Sequence, residues 1–483
     1  MHTGKFFRIV FAPALLIAFA AAPTHAQRND TSSSPASSSS AAVDPGPRAG
    51  SVGAGQPLST LTPAQLQFFQ DGLARFLQVD SVTGTIAGEP GLGLGPGYNS
   101  TSCGSCHAQP STGGTSPSAN FFPFVGQNPQ VTVAYDAGAS NQIPSFITAD
   151  GPIREARFPF VVSSSGTVTS TPDGGVHDVF SIAGRSDAQG CTLPQPNFEQ
   201  MAKLNNLIMR VPTPLYGTGL VENIPDAAIL ANMAANPGPK SQLGISGHPN
   251  TSANDGSITR FGWKAQNKSL EIFAGEAYNV EMGVTNELFQ NERANPPASC
   301  LYNATPEDST NFNSSGAQIP SDVVAFAMFS RFLAPPAPST AGIPNNPSAQ
   351  SLKNGQAMFA AIGCTMCHTP SLQTGPSAFT PGLANQNAAL YSDLLVHHMG
   401  TGLADHISQG AAGPDEFRTA PLWGVGQRIF FLHDGRSNPI NGGLVNAIQQ
   451  HASSGSEANA VISLYNRLPP QAQQDLLNFL RSL

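Results

Sequence analysis

Four of the six cysteines fall in two five-residue strings, Cys103-Gly-Ser-Cys106-His107 and Cys364-Thr-Met-Cys367-His368. Two thiols three residues apart stand one helical turn from each other, and a histidine follows at once. That spacing suits thioether bonds to the two vinyl groups of one porphyrin, with the imidazole reaching the iron from the proximal side. Pro110 and Pro370 follow closely, and a carbonyl nearby can fix each histidine's tautomer. Zinc held by Cys₂His would need a fourth ligand, and none of suitable spacing stands near either string. A pair of disulfides would leave the repeated histidine unexplained. Two covalently bound c-type haems are therefore the expected cofactors, attached through Cys103, Cys106, Cys364 and Cys367, with His107 and His368 on the irons. The remaining cysteines, Cys191 and Cys300, are expected to pair as a disulfide in an oxidising compartment, the alternative being two free thiols.

The elements that must hold these groups are only partly patterned. Charged residues are 11% of the 483, well under the roughly 25% of an ordinary soluble protein, and apolar residues are 40%. Glycine (48) and proline (42) are abundant, which favours turn-rich connections over long bundles or coiled coils. A net charge of −8, with no basic stripe and no nucleotide-binding loop, argues against nucleic acid as a partner. Lys5 and Arg8, the apolar run Ile9 to Ala22 and the small side chains of Thr24-His25-Ala26 make residues 1–26 a secretory signal. The run falls short of the about 20 strongly apolar residues that span a bilayer. A periplasmic or secreted protein with no membrane span is expected.

Residues 27–58, rich in Ser, Pro and Gly, read as a flexible tether. Order starts at Thr62-Pro63-Ala64-Gln65, a capping box with proline in the first turn, and Leu66, Phe69, Leu73 and Phe76 then make one apolar face. Gln130 to Tyr135 and Phe160 to Thr169 are Val/Thr-rich and predict small strands. The Pro-rich stretch 334–350 reads as a linker between an N-terminal haem domain with insertions, 59–333, and a C-terminal one, 351–483. Arg210-Val-Pro-Thr-Pro-Leu-Tyr-Gly-Thr-Gly is echoed by Arg418-Thr-Ala-Pro-Leu-Trp-Gly-Val-Gly, which suggests two related halves. The fold class expected is mainly α with long loops and minor β, in two cytochrome c-like domains.

For the C-terminal haem, Leu444, Ile448 and His451 lie at i, i+4 and i+7, so His451 leaves the apolar face of a helix and is the favoured sixth ligand; Met399 is its competitor. His397 and His398, with His406 close by, read as a polar contact rather than a ligand set. Trp263 and Trp423 read as packed core aromatics, and His433 as structural or lying between the haems.

With these strings in place, the chain resembles the thiol oxidoreductase-like di-haem oxidoreductases, a family related to bacterial di-haem cytochrome c peroxidases. The resemblance is carried by Gly95-Pro-Gly-Tyr-Asn-Ser-Thr-Ser-Cys103-Gly-Ser-Cys-His107-Ala-Gln-Pro, by Arg210 through Glu222-Asn-Ile-Pro-Asp, by Arg260-Phe-Gly-Trp-Lys-Ala, by Glu281-Met-Gly-Val-Thr and by Phe431-Leu-His-Asp-Gly-Arg436. It runs from about residue 58 onward. It implies a peroxidase-type enzyme in which the N-terminal haem takes hydrogen peroxide and the C-terminal haem passes electrons from a small redox protein or a quinol-linked donor; a non-enzymatic electron carrier is the alternative. His451 matches the position where relatives carry a methionine or tyrosine ligand. The resemblance also places Glu222 at a distal-pocket glutamate, a general base and then acid for peroxide. No histidine follows His107 before His177, so the N-terminal iron is expected to be open, with His177 the remote alternative. Relatives can bind calcium near the haems, but no string here resembles a calcium loop.

Overall fold

The computed structural model describes residues 41–50, 53–116, 128–173, 176–309, 321–377 and 380–483. The expected export signal, 1–26, and the tether as far as residue 40 lie outside the described residues. Helix outweighs strand among the regular elements, and the strands are short. Six helices carry the architecture: α1 (Pro63–Leu77), α2 (Leu270–Met282), α3 (Asp322–Phe332), α4 (Ala349–Ala361), α5 (Gly443–Gln449) and α6 (Pro470–Ser482).

The helix ahead of each C-x-x-C-H string is built the same way. α1 begins on the expected capping box: Gln65 N–H donates to Thr62 Oγ1 (3.3 Å) and Thr62 N–H to Gln65 Oε1 (3.0 Å). Phe69 and Phe76 are buried, whereas Leu66 in the first turn stays 37% exposed. α1 packs on α3, and a Cβ added at Gly72 would lie 2.5 Å from the Ala325 carbonyl oxygen. α4 packs on α6, and a Cβ at Gly355 would lie 2.0 Å from the Asp475 carbonyl oxygen. Only glycine permits either approach. Four residues after each glycine a phenylalanine meets the motif histidine, Phe76 with His107 at 5.9 Å and Phe359 with His368 at 6.1 Å between ring centroids. The same rings pack back at a tilt on the crossing helix, at Phe329 (4.6 Å) and Phe479 (5.7 Å).

The two echoing strings meet each other. Gly217 (φ +67°) and Gly424 (φ +76°) each adopt the left-handed conformation and open a short helical turn. The Trp423 ring covers Gly217, where a Cβ would come within 2.6 Å, and the Tyr216 ring stands 3.9 Å from the corresponding point on Gly424. Around them one apolar cluster joins Leu220, Ile224 and Ile229 to Leu372, Leu390 and Trp423.

The strand pieces divide. The strand expectation for Phe160 to Thr169 holds: Phe160–Val162 pairs antiparallel with Val168–Pro172. Residues 130–135 do not form a strand: Pro129–Val133 is a helical turn, because Asn128 Oδ1 accepts Gln130 N–H (3.0 Å) and Pro129 presets the first-turn φ. That cap outweighs the β preference of Val131, Thr132 and Val133. A three-stranded sheet of order Val176–His177, Glu155–Arg157, Ile208–Arg210 sets Glu155 opposite Arg210.

Part of the segment read as a tether is anchored. Asp44 accepts from Arg481 at 2.7 and 2.6 Å and from Leu444 N–H at 2.7 Å, and the Arg481 side chain is fully buried. Cys191 and Cys300 are bridged. Among the described residues, no helix is long and apolar enough to cross a membrane.

Candidate active site

Each motif closes a tight turn in which the histidine N–H donates to the first cysteine's carbonyl, His107 to Cys103 (3.0 Å) and His368 to Cys364 (2.9 Å). The carbonyl that fixes each ring is Gly114 O for His107 (2.9 Å) and Tyr391 O for His368 (3.0 Å). A carbonyl only accepts, so Nδ1 carries the hydrogen in both rings and Nε2 keeps its lone pair. Burial holds both imidazoles neutral, at a pKa of about 4. The four motif thiols are unbridged, and burial pushes Cys106 and Cys364 up to about 12.

Cys103, Cys106 and His107 open onto a cavity of about 150 Å³. Phe76, Leu270, Phe273 and Met282 supply apolar wall, and Met282 Sδ lies 3.8 Å from Cys103 Sγ. Paired thiols and a lone Nε2 on one largely apolar cavity fit an iron porphyrin. A smaller cavity of about 30 Å³, lined by Trp263, Trp423 and Arg428, adds to the fit. Arg428 Nε and Nη2 are buried there with no hydrogen-bond partner, and a carboxylate such as a porphyrin propionate would satisfy them.

The main cavity also holds polar groups that sequence reasoning left without a role. Glu155, Arg157 and Arg210 come from the three-stranded sheet, and Glu281 from the end of α2. The Glu155 and Glu281 carboxyl groups hydrogen-bond to each other. Glu155 is further held by Arg157, and Glu281 Oε2 accepts from Asn99 Nδ2 (2.7 Å). Burial and the neighbouring Glu155 charge drive the Glu281 pKa far above the usual carboxyl range. Burial opposes ionisation of Glu155 too, but Arg157 and Arg210 overcome it and pull its pKa below the usual value. The surroundings favour a proton on Glu281 and a charge on Glu155, the division of roles that an acid–base pair requires.

Glu222 is not among the residues lining this cavity. Its carboxylate accepts from Arg331 (2.6 and 3.2 Å) and from Leu270 N–H (2.9 Å), at the start of the helix that carries Glu281. His177 does not line the cavity either; it stacks on Phe158 at 3.6 Å.

At the second motif, His451 follows α5, whose Leu444, Ala447 and Ile448 share an apolar cluster with Cys364 and Cys367. Its Nδ1–H donates to Ala447 O (2.7 Å), leaving Nε2 free, and its charge would lower the His368 pKa. Met399 packs instead with Val211, Trp263 and Phe417. His397 is buried between Asp393 (3.0 Å) and Glu457 (2.8 Å), His398 turns to Asp415 and Glu416, and His406 stands apart beside Phe160. His433 stacks on Phe417 at 4.3 Å, and Trp263 donates to Val211 O (2.8 Å).

The family model described as "Di-haem oxidoreductase, putative peroxidase" matches residues 165–483, more than half of the chain. The chain belongs to this di-haem oxidoreductase family. Membership supports haem cofactors and redox chemistry in a di-haem protein; the match includes Cys364–His368, while Cys103–His107 precedes it. Among solved structures, this di-haem oxidoreductase is similar to hydrazine synthase of Kuenenia stuttgartiensis (18% identity, 35% of this chain and 56% of that one, TM-score 0.21). It is also similar to a MauG-like protein associated with microbial copper homeostasis (14% identity, 57% of this chain and 91% of that one, TM-score 0.26). The chain thus spans 56% of the length of the hydrazine synthase chain it matches. No curated protein matches it.

Proposed function

We propose that this chain is an exported di-haem c-type cytochrome that reduces hydrogen peroxide at the Cys103–His107 site with electrons passed through the Cys364–His368 site. The reading is carried by one observation: the paired carboxyl groups of Glu155 and Glu281, with Arg157 and Arg210 beside them, line the same cavity as Cys103, Cys106 and His107. A haem bound there would supply the redox chemistry and an open iron position. The net reaction, H₂O₂ + 2e⁻ + 2H⁺ → 2H₂O, needs protons moved between the two oxygens. Ionised Glu155 accepts a proton from bound peroxide, and the Glu281 carboxyl returns one to the departing oxygen. Arg157 and Asn99 hold the two carboxyls in place. Glu222, whose carboxylate orients Leu270 at the start of α2, acts through Glu281 as a positioning residue.

His451 is the proposed sixth ligand of the C-terminal iron, since its free Nε2 and its cluster with Cys364 and Cys367 support that role better than Met399. The Cys191–Cys300 bridge supports an oxidising, exported location and a periplasmic donor, either a small redox protein or a quinol-linked one. The test is spectroscopic and kinetic. Acid–acetone extraction should leave both pigments on the chain, EPR should show one high-spin haem, and peroxide should turn over with a reduced dye. Two haems that stay low-spin after half-reduction, with no turnover, would make the protein an electron carrier.

A further inference from the structure

The hydroxyl of Tyr278, on α2, lies 3.2 Å from Asp80 Oδ2 and 3.2 Å from Asp322 Oδ2. A phenol has one hydrogen, so it donates to one of these oxygens, and the other contact needs a second proton. Arg75, 2.8 Å from Asp322 Oδ1, keeps that carboxylate charged. Asp80 meets an amide instead, Gln78 Nε2 at 3.2 Å, and burial beside the Asp322 charge raises its pKa to about 7. Asp80 therefore carries the second proton and donates to the phenol oxygen, while the phenol O–H donates to Asp322. Tyr278 is 2% exposed, but the Asp322 side chain is 18% and the Arg75 side chain 47% exposed, so a proton taken up by Asp322 can pass to water.

The phenol ring also reaches the first haem motif. It lines the cavity onto which Cys103, Cys106 and His107 open. It meets Phe326 edge-on at 5.0 Å, Phe326 meets Phe76 edge-on at 6.4 Å, and Phe76 meets His107 at 5.9 Å between centroids. Among the described residues, Tyr278 is the one tyrosine whose hydroxyl meets a carboxylate; the Tyr216 hydroxyl, for comparison, donates to Ser111 O (2.8 Å). A buried phenol gives up an electron only if its proton leaves too, because the alternative is an unpaired positive charge held away from water. Here the proton acceptor is already in place, at the far end of a run of packed rings from His107. Given the peroxide reduction proposed above, on which this rests, we infer that Tyr278 is a redox-active tyrosine. It gives one electron to the Cys103–His107 site and its phenolic proton to Asp322, leaving a neutral phenoxyl radical. With no donor present, the two-electron reduction of one peroxide draws one electron from Tyr278 and the other from the haem site. The bonds broken are the peroxide O–O and the phenol O–H; peroxide is reduced, and Tyr278 is oxidised by one electron. Two electrons passed through the Cys364–His368 site restore both, and the phenoxyl oxygen takes its proton back from Asp322.

The probe is hydrogen peroxide, mixed in equimolar amount with the full-length, haem-loaded protein without donor and freeze-quenched for EPR. An organic radical is expected beside the haem signals. Ring-deuterated tyrosine incorporated into the unsubstituted protein should narrow that signal, a readout that needs no variant. Tyr278→Phe keeps the ring and its packing, and should lower the radical at least about tenfold at equal haem content; Asp322→Asn, which removes the proton acceptor, should lower it by about tenfold. Peroxide consumption is followed in the same samples. Consumption without a deuterium-sensitive radical, or with one that survives Tyr278→Phe or Asp322→Asn, would overturn the tyrosine assignment alone. Neither consumption nor radical would overturn it together with the peroxide reading.

Discussion

Glu281→Gln isolates the proton from the scaffold. Glutamine keeps the side-chain length, its Oε1 can still accept from Asn99 Nδ2 (2.7 Å in the native protein), and its amide can still donate to Glu155. Only the transferable proton is lost, so stability should change by less than about 1 kcal/mol. Loss of a positioned acid or base costs about 10²- to 10⁴-fold, and kcat/KM for peroxide should fall accordingly, about 3 to 5 kcal/mol in transition-state stabilisation. Glu155→Gln would be a poorer choice, since it strips Arg157, 8% exposed, of its charge partner and costs about 3–5 kcal/mol of stability. The assay is stopped-flow peroxide consumption with a reduced dye, normalised to haem content by alkaline pyridine spectra. Glu222→Gln is the companion: its Arg331 pair is about one-fifth exposed on each side, so it should cost about 1 kcal/mol of stability and leave turnover within about threefold. If Glu281→Gln turned over like the native protein at equal haem loading while Glu222→Gln did not, the carboxylate pair would be the wrong group and the reasoning from cavity lining would fail.

Three further outcomes follow from packing and charge. Gly355→Ala puts a Cβ 2.0 Å from a backbone carbonyl, so α4 and α6 must separate, and chemical denaturation should show a loss of at least about 3 kcal/mol. Asp44→Ala leaves the fully buried Arg481 without its carboxylate, and the thermal midpoint should drop by the equivalent of about 3–5 kcal/mol. Burial, with the Asp322 charge nearby, raises the Asp80 pKa from 3.8 to about 7. The folded state then binds the extra proton between those values, so this group's contribution to stability falls as pH rises from about 4 to 7, by up to about 4 kcal/mol. Asp80→Asn should flatten that slope and be the more stable protein at pH 8; an unchanged slope in urea titrations would remove Asp80 as its source.

Local chemistry was legible in the chain and distant pairing was not. The turn at each C-x-x-C-H string, the carbonyl behind each histidine and the Thr62–Gln65 cap all depend on residues close in sequence, and spacing alone predicts them, save that Tyr391 reaches back over 23 residues. Gln130 to Tyr135 misled because strand preference was weighed without the cap at Asn128. The Asp44–Arg481 pair spans 437 positions, and nothing in a Ser/Pro-rich composition marks one aspartate as anchored. Glu155 and Glu281 come from a strand and a helix far apart, and only the fold gives them a common proton. Glu281 was visible as part of a family-like string, yet its role depends on a neighbour the string does not contain.

The facing aromatics at Tyr216-Gly217 and Trp423-Gly424 bear on how the chain could have diverged. Gly217 lies under the Trp423 ring, and Gly424 lies against Pro336 with the Tyr216 ring 3.9 Å away, so a side chain gained at either glycine must be matched by a smaller group facing it. Change in either string is therefore constrained by residues far away in sequence, and this seam ties two distant stretches of the chain to each other's composition.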